Sequence, residues 1–432
     1  MHTVVPLILH GDGVEYVDTD SLEVLSFGPL LGTGDSLDCL FCFGVWPYSC
    51  NVKPSAAKPG TWTVPWEVFV WSFKALAAGK HPASDWTGKP FVAGSEQARL
   101  AGTPLTPEGH KFVIWSIAGD HEHHANFFKL PHWAAKKWCW DCNANKDDGT
   151  GLSFKEDGPE GCTRRGAAEE LVRRISGHQV FTIPGVTSCN ADHDPLHVLY
   201  CKGVLSHFFG SVIHSLIYNG NNTIPTQQKM AILWQKCQEL YVRNNTPPSS
   251  RLTSLQLSMI CDPKKPFQDH PFLKVKASEC KYLLPVMEGL CRLVNDGTQV
   301  GQWRLEAAVA IHKFSKFLDN TGPVPTDSVA DEAKSCVEKF LHVYDKLNAH
   351  FADTKLYHKV PKFHNAHEMA VRMKHLNPRY AWTFKCEDFV GKISKCAHNC
   401  TFGTARLNVS KPITRKIRQL VHLRLTRGDF TD

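Results

Sequence analysis

The chain has 432 residues, 42% of them hydrophobic and 21% charged, long enough for two or three packed units and apolar enough to bury them. That composition excludes disorder as the dominant state. No uninterrupted apolar run reaches membrane-spanning length, since the nearest, Leu196 to Tyr218, is broken by Lys202, His207 and His214; a buried helix is expected there instead. Val4 to Leu9 is short, with no basic lead and no small-residue cleavage site, so no secretory leader is expected. Sixteen cysteines without a leader fit a reducing compartment, cytosol or nucleus, where a close Cys pair more often means metal than disulfide. The net charge is only +7, but seven Lys and Arg against two Asp fall between Thr401 and Asp432. Taken alone, that basic tail is either a phosphate-facing helix or a solvated cationic face.

Taken in chain order, Thr3–Leu9, Leu22–Phe27 and Cys39–Val45 are short runs of Val, Leu, Ile and Phe between Gly, Asp and Ser clusters, as hairpin-connected strands require. Val64–Ala78 places bulky apolar residues at helical spacing and stops before Gly79. Lys111–Ala118 reads as a buried strand ending abruptly at Gly119-Asp120. Asn143–Gly166 is polar and Gly-rich, and reads as a linker. Helical periodicity then runs through Ala167–Ile175, Leu196–Tyr218, Gln227–Val242, Ser278–Val294, Trp303–Leu318 and Val329–Phe351, a helical region of roughly two hundred residues, ordinary for one domain. Phe363–Leu376, a turn at Asn377-Pro378, a helix around Glu387–Cys396 and the basic tail follow. The expected division is therefore 1–142, 143–360 and 361–432.

Two carboxylates stand where apolar runs meet glycine: Asp12 before Gly13, and Asp120 after Gly119. Acids at strand ends converge when the strands are neighbours, and a pair of them suits a hard cation such as Mg²⁺. Either one alone is equally an Asp in a Gly turn. Cys139-Trp140-Asp141-Cys142 has the spacing that lets two thiolates grip one Zn²⁺, and structural zinc needs two further ligands. The compact candidate is His364-Asn365-Ala366-His367, more than two hundred residues downstream. If the four share an ion, the chain is stapled around the helical region; otherwise they are a buried Cys pair and two helix-surface histidines. Cys39/Cys42, Cys396/Cys400 and His121/His123/His124 are read as ordinary core or surface residues. Glu387 opens a late helix, where an acid commonly satisfies the helix dipole.

In order and spacing, Asp12, Asp120, Cys139 and Cys142, His364 and His367, and Glu387 resemble the catalytic domain of DDE/D transposases, specifically the CACTA-like group and its relative, the V(D)J recombinase catalytic subunit. Tyr380-Ala381-Trp382, with Glu387 five residues beyond the Trp, is similar to the aromatic-led stretch that carries the acidic residue in those enzymes. Asp194-Pro195-Leu196-His197 likewise looks like their Asp-x-x-His segment at the start of the helical region, which makes Asp194 and His197 weaker site candidates. The resemblance spans Asp12 to about Leu425.

It implies an α/β, ribonuclease-H-like fold, a mixed sheet flanked by helices and interrupted by a large all-helical insertion. It implies Asp12, Asp120 and Glu387 as catalytic ligands of Mg²⁺ (or Mn²⁺), Zn²⁺ on the Cys and His pairs, and nuclear action on double-stranded DNA as a homodimer or higher oligomer. No small-molecule substrate and no membrane is expected. Arg415, Lys416, Arg418 and Arg424 would contact the DNA backbone. Active members usually carry a DNA-binding domain before the first strand, and this sequence starts almost on that strand. A fragment, a decayed copy or a domesticated DNA-binding descendant without catalysis is therefore the alternative, and a zinc-organised interaction protein is a third.

Overall fold

A computed structural model describes residues 3–53, 55, 60–147, 177–218, 223–400, 403 and 408–427. Most of the expected linker, and the expected helix Ala167–Ile175, lie outside them. The fold is mixed α/β. Four strands, β1 (Val4–Val17), β2 (Asp20–Pro29), β3 (Phe41–Pro47) and β4 (Lys111–Ala118), form one sheet in the order β3-β2-β1-β4. β1 and β2 form an antiparallel hairpin, β2 and β3 are antiparallel, and β1 and β4 are parallel. Beyond β4, Ala191 adds an isolated parallel bridge to Ile117.

Two expectations for strands need correction. Asp12 is not at the end of β1. The strand runs on to Val17 because β2 pairs with it as far as Val17↔Asp20, whereas β4 stops at His10↔Ala118. Cys39 is not in a strand but closes a helical turn, Ser36–Cys39, capped by the Asp35 side chain on Leu37 N–H.

The period-2 alternation of β1 sends its two sets of side chains to different cores. Leu7 and Leu9 join Trp66, Phe69 and Phe73 of α1 (Thr63–Ala78) on one face. Ile8 and Tyr16 join Phe389, Val390 and Ile393 of α9 (Phe384–Cys400), with Ile413 and Ile417 of α10 (Ser410–Arg427), on the other. α1 stops where expected, because Gly79 adopts a left-handed conformation (φ 68°) that suits a residue without Cβ. After β4 comes the short α2 (His121–Phe128).

The helical region comprises α3 (Val204–Tyr218), α4 (Thr226–Arg243), α5 (Ala277–Leu293), α6 (Gln299–Asn320) and α7 (Asp327–His350), and α8 (Pro361–Arg372) packs into its core through Phe363, Ala366 and Met369. Leu196–Tyr218 has the length and composition of a membrane span, but 78% of its most apolar window is buried inside the protein. It is also not one helix. Leu196–Tyr200 is a single π turn, closed by Cys201 N–H on Leu196 C=O, and the chain breaks at Lys202 (φ 47°) before α3 begins.

Candidate active site and metal centre

Asp12 has the same strand parity as Ile8 and Tyr16, the residues that face α9. Glu387 lies in the first turn of α9, its backbone N–H bonded to Thr383 C=O at 2.7 Å. Asp120 caps α2, accepting from His123 N–H at 2.6 Å, which fixes its carboxylate just past the end of β4. All three acids are half-buried, and each remains in contact with solvent.

They also sense one another. Burial and then the charge of Asp120 push the Asp12 carboxyl up to about 6, against the pull of Gly13 N–H, His197 and a hydrogen bond shared with Glu387. Burial and then the Asp12 charge raise Glu387 to about 8. Like charges gathered in a partly desolvated site disfavour joint ionisation, and a divalent cation on their oxygens removes that penalty. The donor set is purely carboxylate, as Mg²⁺ or Mn²⁺ requires.

A fourth acid stands nearby that the sequence did not single out. Glu23 of β2 pairs across the hairpin with Gly13 and is buried, its Oε1 3.4 Å from His123 Nδ1. Burial first, then Asp12 and Asp120, hold its carboxyl up near 9. His123 in turn requires the glycine at position 11, where a Cβ would sit 2.3 Å from its Nε2.

Asp194 and His197 adjoin this cluster. The His197 ring bonds Asp194 at 2.6 Å, while buried Asp194 also accepts from Leu196 N–H and, at 2.9 and 2.6 Å, from Thr383 N–H and Oγ1–H. Thr383 immediately precedes α9, so the Asp-x-x-His segment anchors the start of the helix that carries Glu387. Burial works against the His197 cation, but Asp194, Asp120 and Glu387 outweigh it and raise its pKa.

A separate buried group holds Cys139, Cys142, His364 and Glu368, with one donor atom from each lying within 4.8 Å of all the others. Cys142 Sγ is 3.3 Å from His364 Nε2, which is 3.4 Å from Glu368 Oε1. Ligands at 2.0–2.3 Å around a tetrahedral ion are separated by roughly 3.5 Å, so the four could hold a metal such as zinc. The fourth donor differs from expectation. His367 is not in the group, and its Nε2 lies 3.4 Å from Glu338 Oε1 on α7. On a helix, i+4 is displaced by about 40° from i and i+3 by about 60° the opposite way, so position 368 follows His364 toward the cysteines while position 367 turns to α7.

The same segments are tied a second time. Arg372 of α8 makes a partly buried ion pair with Asp141, between the two cysteines, and donates to Cys189 and Ala191 C=O at 2.8 Å. His193 bonds the other Asp141 oxygen at 2.8 Å and stacks on Trp140. Near the C-terminus, Arg415, Lys416 and Arg418 are exposed on α10; Arg424 lies on the same helix, with its side chain outside the described residues. Compared with known proteins, this chain matches no family model and no curated protein.

Proposed function

We propose that the protein is a metal-dependent DNA strand-cleaving and strand-transferring enzyme of the DDE type, built on a ribonuclease-H-like core. The observation that carries this reading is that half-exposed Asp12 of β1 feels the charge of Asp120, the cap of α2, and shares a hydrogen bond with Glu387, whose carboxyl it raises, in the first turn of α9. A mixed sheet with helices on both faces, and a helical region between Asp120 and Glu387, support it. Divalent ions held there would supply Lewis-acid stabilisation of the attacking and leaving oxygens at a phosphodiester.

The chain's own residues do the rest. Asp12, Asp120 and Glu387 would hold the ions. Asp194 fixes His197 beside them and keeps α9 in place through Thr383. Arg415, Lys416 and Arg418 would add backbone affinity that carries little sequence information. In the Cys139/Cys142/His364/Glu368 group, two soft thiolates with one imidazole favour zinc over the harder ions, and its role is to hold α8 to the segment that follows α2.

The test is nicking of duplex DNA by the full chain with Mg²⁺ or Mn²⁺. Asp120→Asn and Glu387→Gln are each expected to lower the rate at least a hundredfold, with melting temperature unchanged. Equal rates in wild type and both variants end the reading.

A further inference from the structure

The last turn of α9 carries two cysteines on one face. Cys396 and Cys400 are both half-buried, and their sulfurs lie 4.0 Å apart, as side chains at i and i+4 on a helix allow. The turn that holds them is anchored on both sides. Buried Ala397 and Ile393 join Val409 and, from α10, Ile413 in one core, and His398 Nδ1 bonds Tyr16 C=O of β1 at 3.0 Å. His398 stands two positions from each cysteine, about 200° around the helix, so its ring faces β1 and not the thiols.

Expected to be ordinary residues, the two cysteines form a pair that helix geometry keeps from closing on itself. A disulfide needs Cβ atoms about 3.5–4.5 Å apart, whereas Cβ atoms at i and i+4 on a helix are about 5–6 Å apart, on Cα–Cβ bonds that point the same way. An S–S bond therefore requires the last turn to unwind. Bridging the sulfurs through a third atom does not. Two metal–sulfur bonds of about 2.3 Å that span the 4.0 Å gap meet at about 120°, wider than a tetrahedral angle and close to a trigonal one.

The donor set then selects the ion. Structural zinc needs four ligands. Among the described residues no third Cys, His, Asp or Glu stands close enough to join the two sulfurs, and Thr401 to Val409, the segment that follows, contains none of these residue types. Soft thiolates select Cu(I), a closed-shell monovalent ion that two or three ligands satisfy. Burial and then the neighbouring Cys400 thiol push Cys396 up to about 11, against the pull of the Lys416 ammonium on α10. The pair thus keeps its protons until a cation displaces them, and the Lys416 charge favours the anionic complex that results.

We infer that Cys396 and Cys400 form a second metal site, which binds one soft monovalent cation of the Cu(I) type as a dithiolate, open to a small thiol as third ligand. Loading exchanges two S–H protons for one Cu⁺ and leaves a complex of charge −1, with no change of oxidation state. The site goes beyond the function proposed above and stands independently of it.

The experiment is titration of the zinc-loaded full chain with Cu(I) under nitrogen, in competition with a chromogenic Cu(I) chelator, with copper and zinc counted by elemental analysis. One Cu(I) per chain is expected to resist the chelator, with a thiolate-to-metal absorption band in the near ultraviolet and the zinc retained. Cys396→Ser and Cys400→Ser should each weaken binding at least about a hundredfold, since a single thiol forms no chelate, while the melting temperature of the copper-free protein stays unchanged. Cys189→Ser, which removes an exposed thiol elsewhere, should bind copper as wild type does.

Chelator-resistant copper that persists in both the Cys396 and Cys400 variants, or that enters only as zinc leaves, overturns the site, and so does a wild-type chain that retains none. A Cys396–Cys400 disulfide recovered in high yield from the folded chain after treatment with oxidised glutathione overturns it in favour of a redox pair, because the end of α9 must then open.

Discussion

Asp12 and Asp120 each stand two residues beyond a single register pair of the parallel strands β1 and β4, His10↔Ala118. One strand continues past that pair and the other turns into a helix cap, yet the two carboxylates leave the sheet at the same level. Glu387 reaches Asp12 because the even-numbered face of β1 is the one that α9 covers.

The tight approach of His123 to Gly11 makes the first prediction. Gly11→Ala puts a methyl 2.3 Å from a ring that is buried and stacked on Phe127, so overpacking should cost about 1–3 kcal/mol. His123→Ala in the same chain makes room for the methyl, and the double variant should lose less than the two single losses combined. Urea unfolding of all four proteins measures the coupling; strict additivity would show that the contact is not limiting.

A pH dependence follows from Asp194 and His197. The Asp194 pKa is lowered, its burial outweighed by the bonds from His197 and Thr383, so its contribution is present above the ordinary Asp value of about 4 and is lost as pH falls through the lowered one. The His197 pKa is raised, so its contribution is complete below about 6.5 and is lost as pH rises through the raised value. Measured in EDTA, the melting-temperature advantage of wild type over Asp194→Asn should therefore be greatest between about pH 4 and 6.5 and shrink on both sides. An advantage at pH 9 equal to that at pH 5.5 would remove the imidazolium from the account.

Metal content distinguishes the observed fourth donor from the expected one. Purified wild-type protein should hold one zinc per chain by elemental analysis. Cys142→Ser and Glu368→Ala should lose most of it, because structural zinc needs four ligands, while His367→Ala retains it. Retention in Glu368→Ala together with loss in His367→Ala would reverse the assignment.

The basic helix α10 is tested by salt. Each phosphate contact contributes about 0.9 to the slope of log K against log salt concentration. Replacing Arg415, Lys416 and Arg418 with Ala should therefore flatten that slope for duplex DNA by about 2 to 3, with little change in preference between sequences. An unchanged slope places the DNA path elsewhere on the molecule.

Much of this fold was legible from local patterns. The run Lys111–Ala118 ending at Gly119-Asp120 marked both a strand and the acid beyond it, and Gly79 marked the end of α1. Other features were not legible, for reasons particular to each residue. Glu23 reads as an ordinary polar position in an alternating strand, since nothing local tells that His123 packs against it. Glu368 was hidden behind the more familiar His-x-x-His spacing. The extension of β1 past Gly13 depends on β2 as its partner, and a glycine beside an aspartate looks like a turn until that partner is known.

From its sequence alone, then, this chain determines which segments are strands and helices, and which acids, thiols and imidazoles stand at their ends, because backbone periodicity and capping are properties of neighbours in the chain. Only the tertiary structure decides that Asp12 faces α9 and that Glu368 and not His367 turns toward the cysteines. Those outcomes depend on strand register, helix rotation and packing between segments hundreds of residues apart, where a shift of one position exchanges one face for the other.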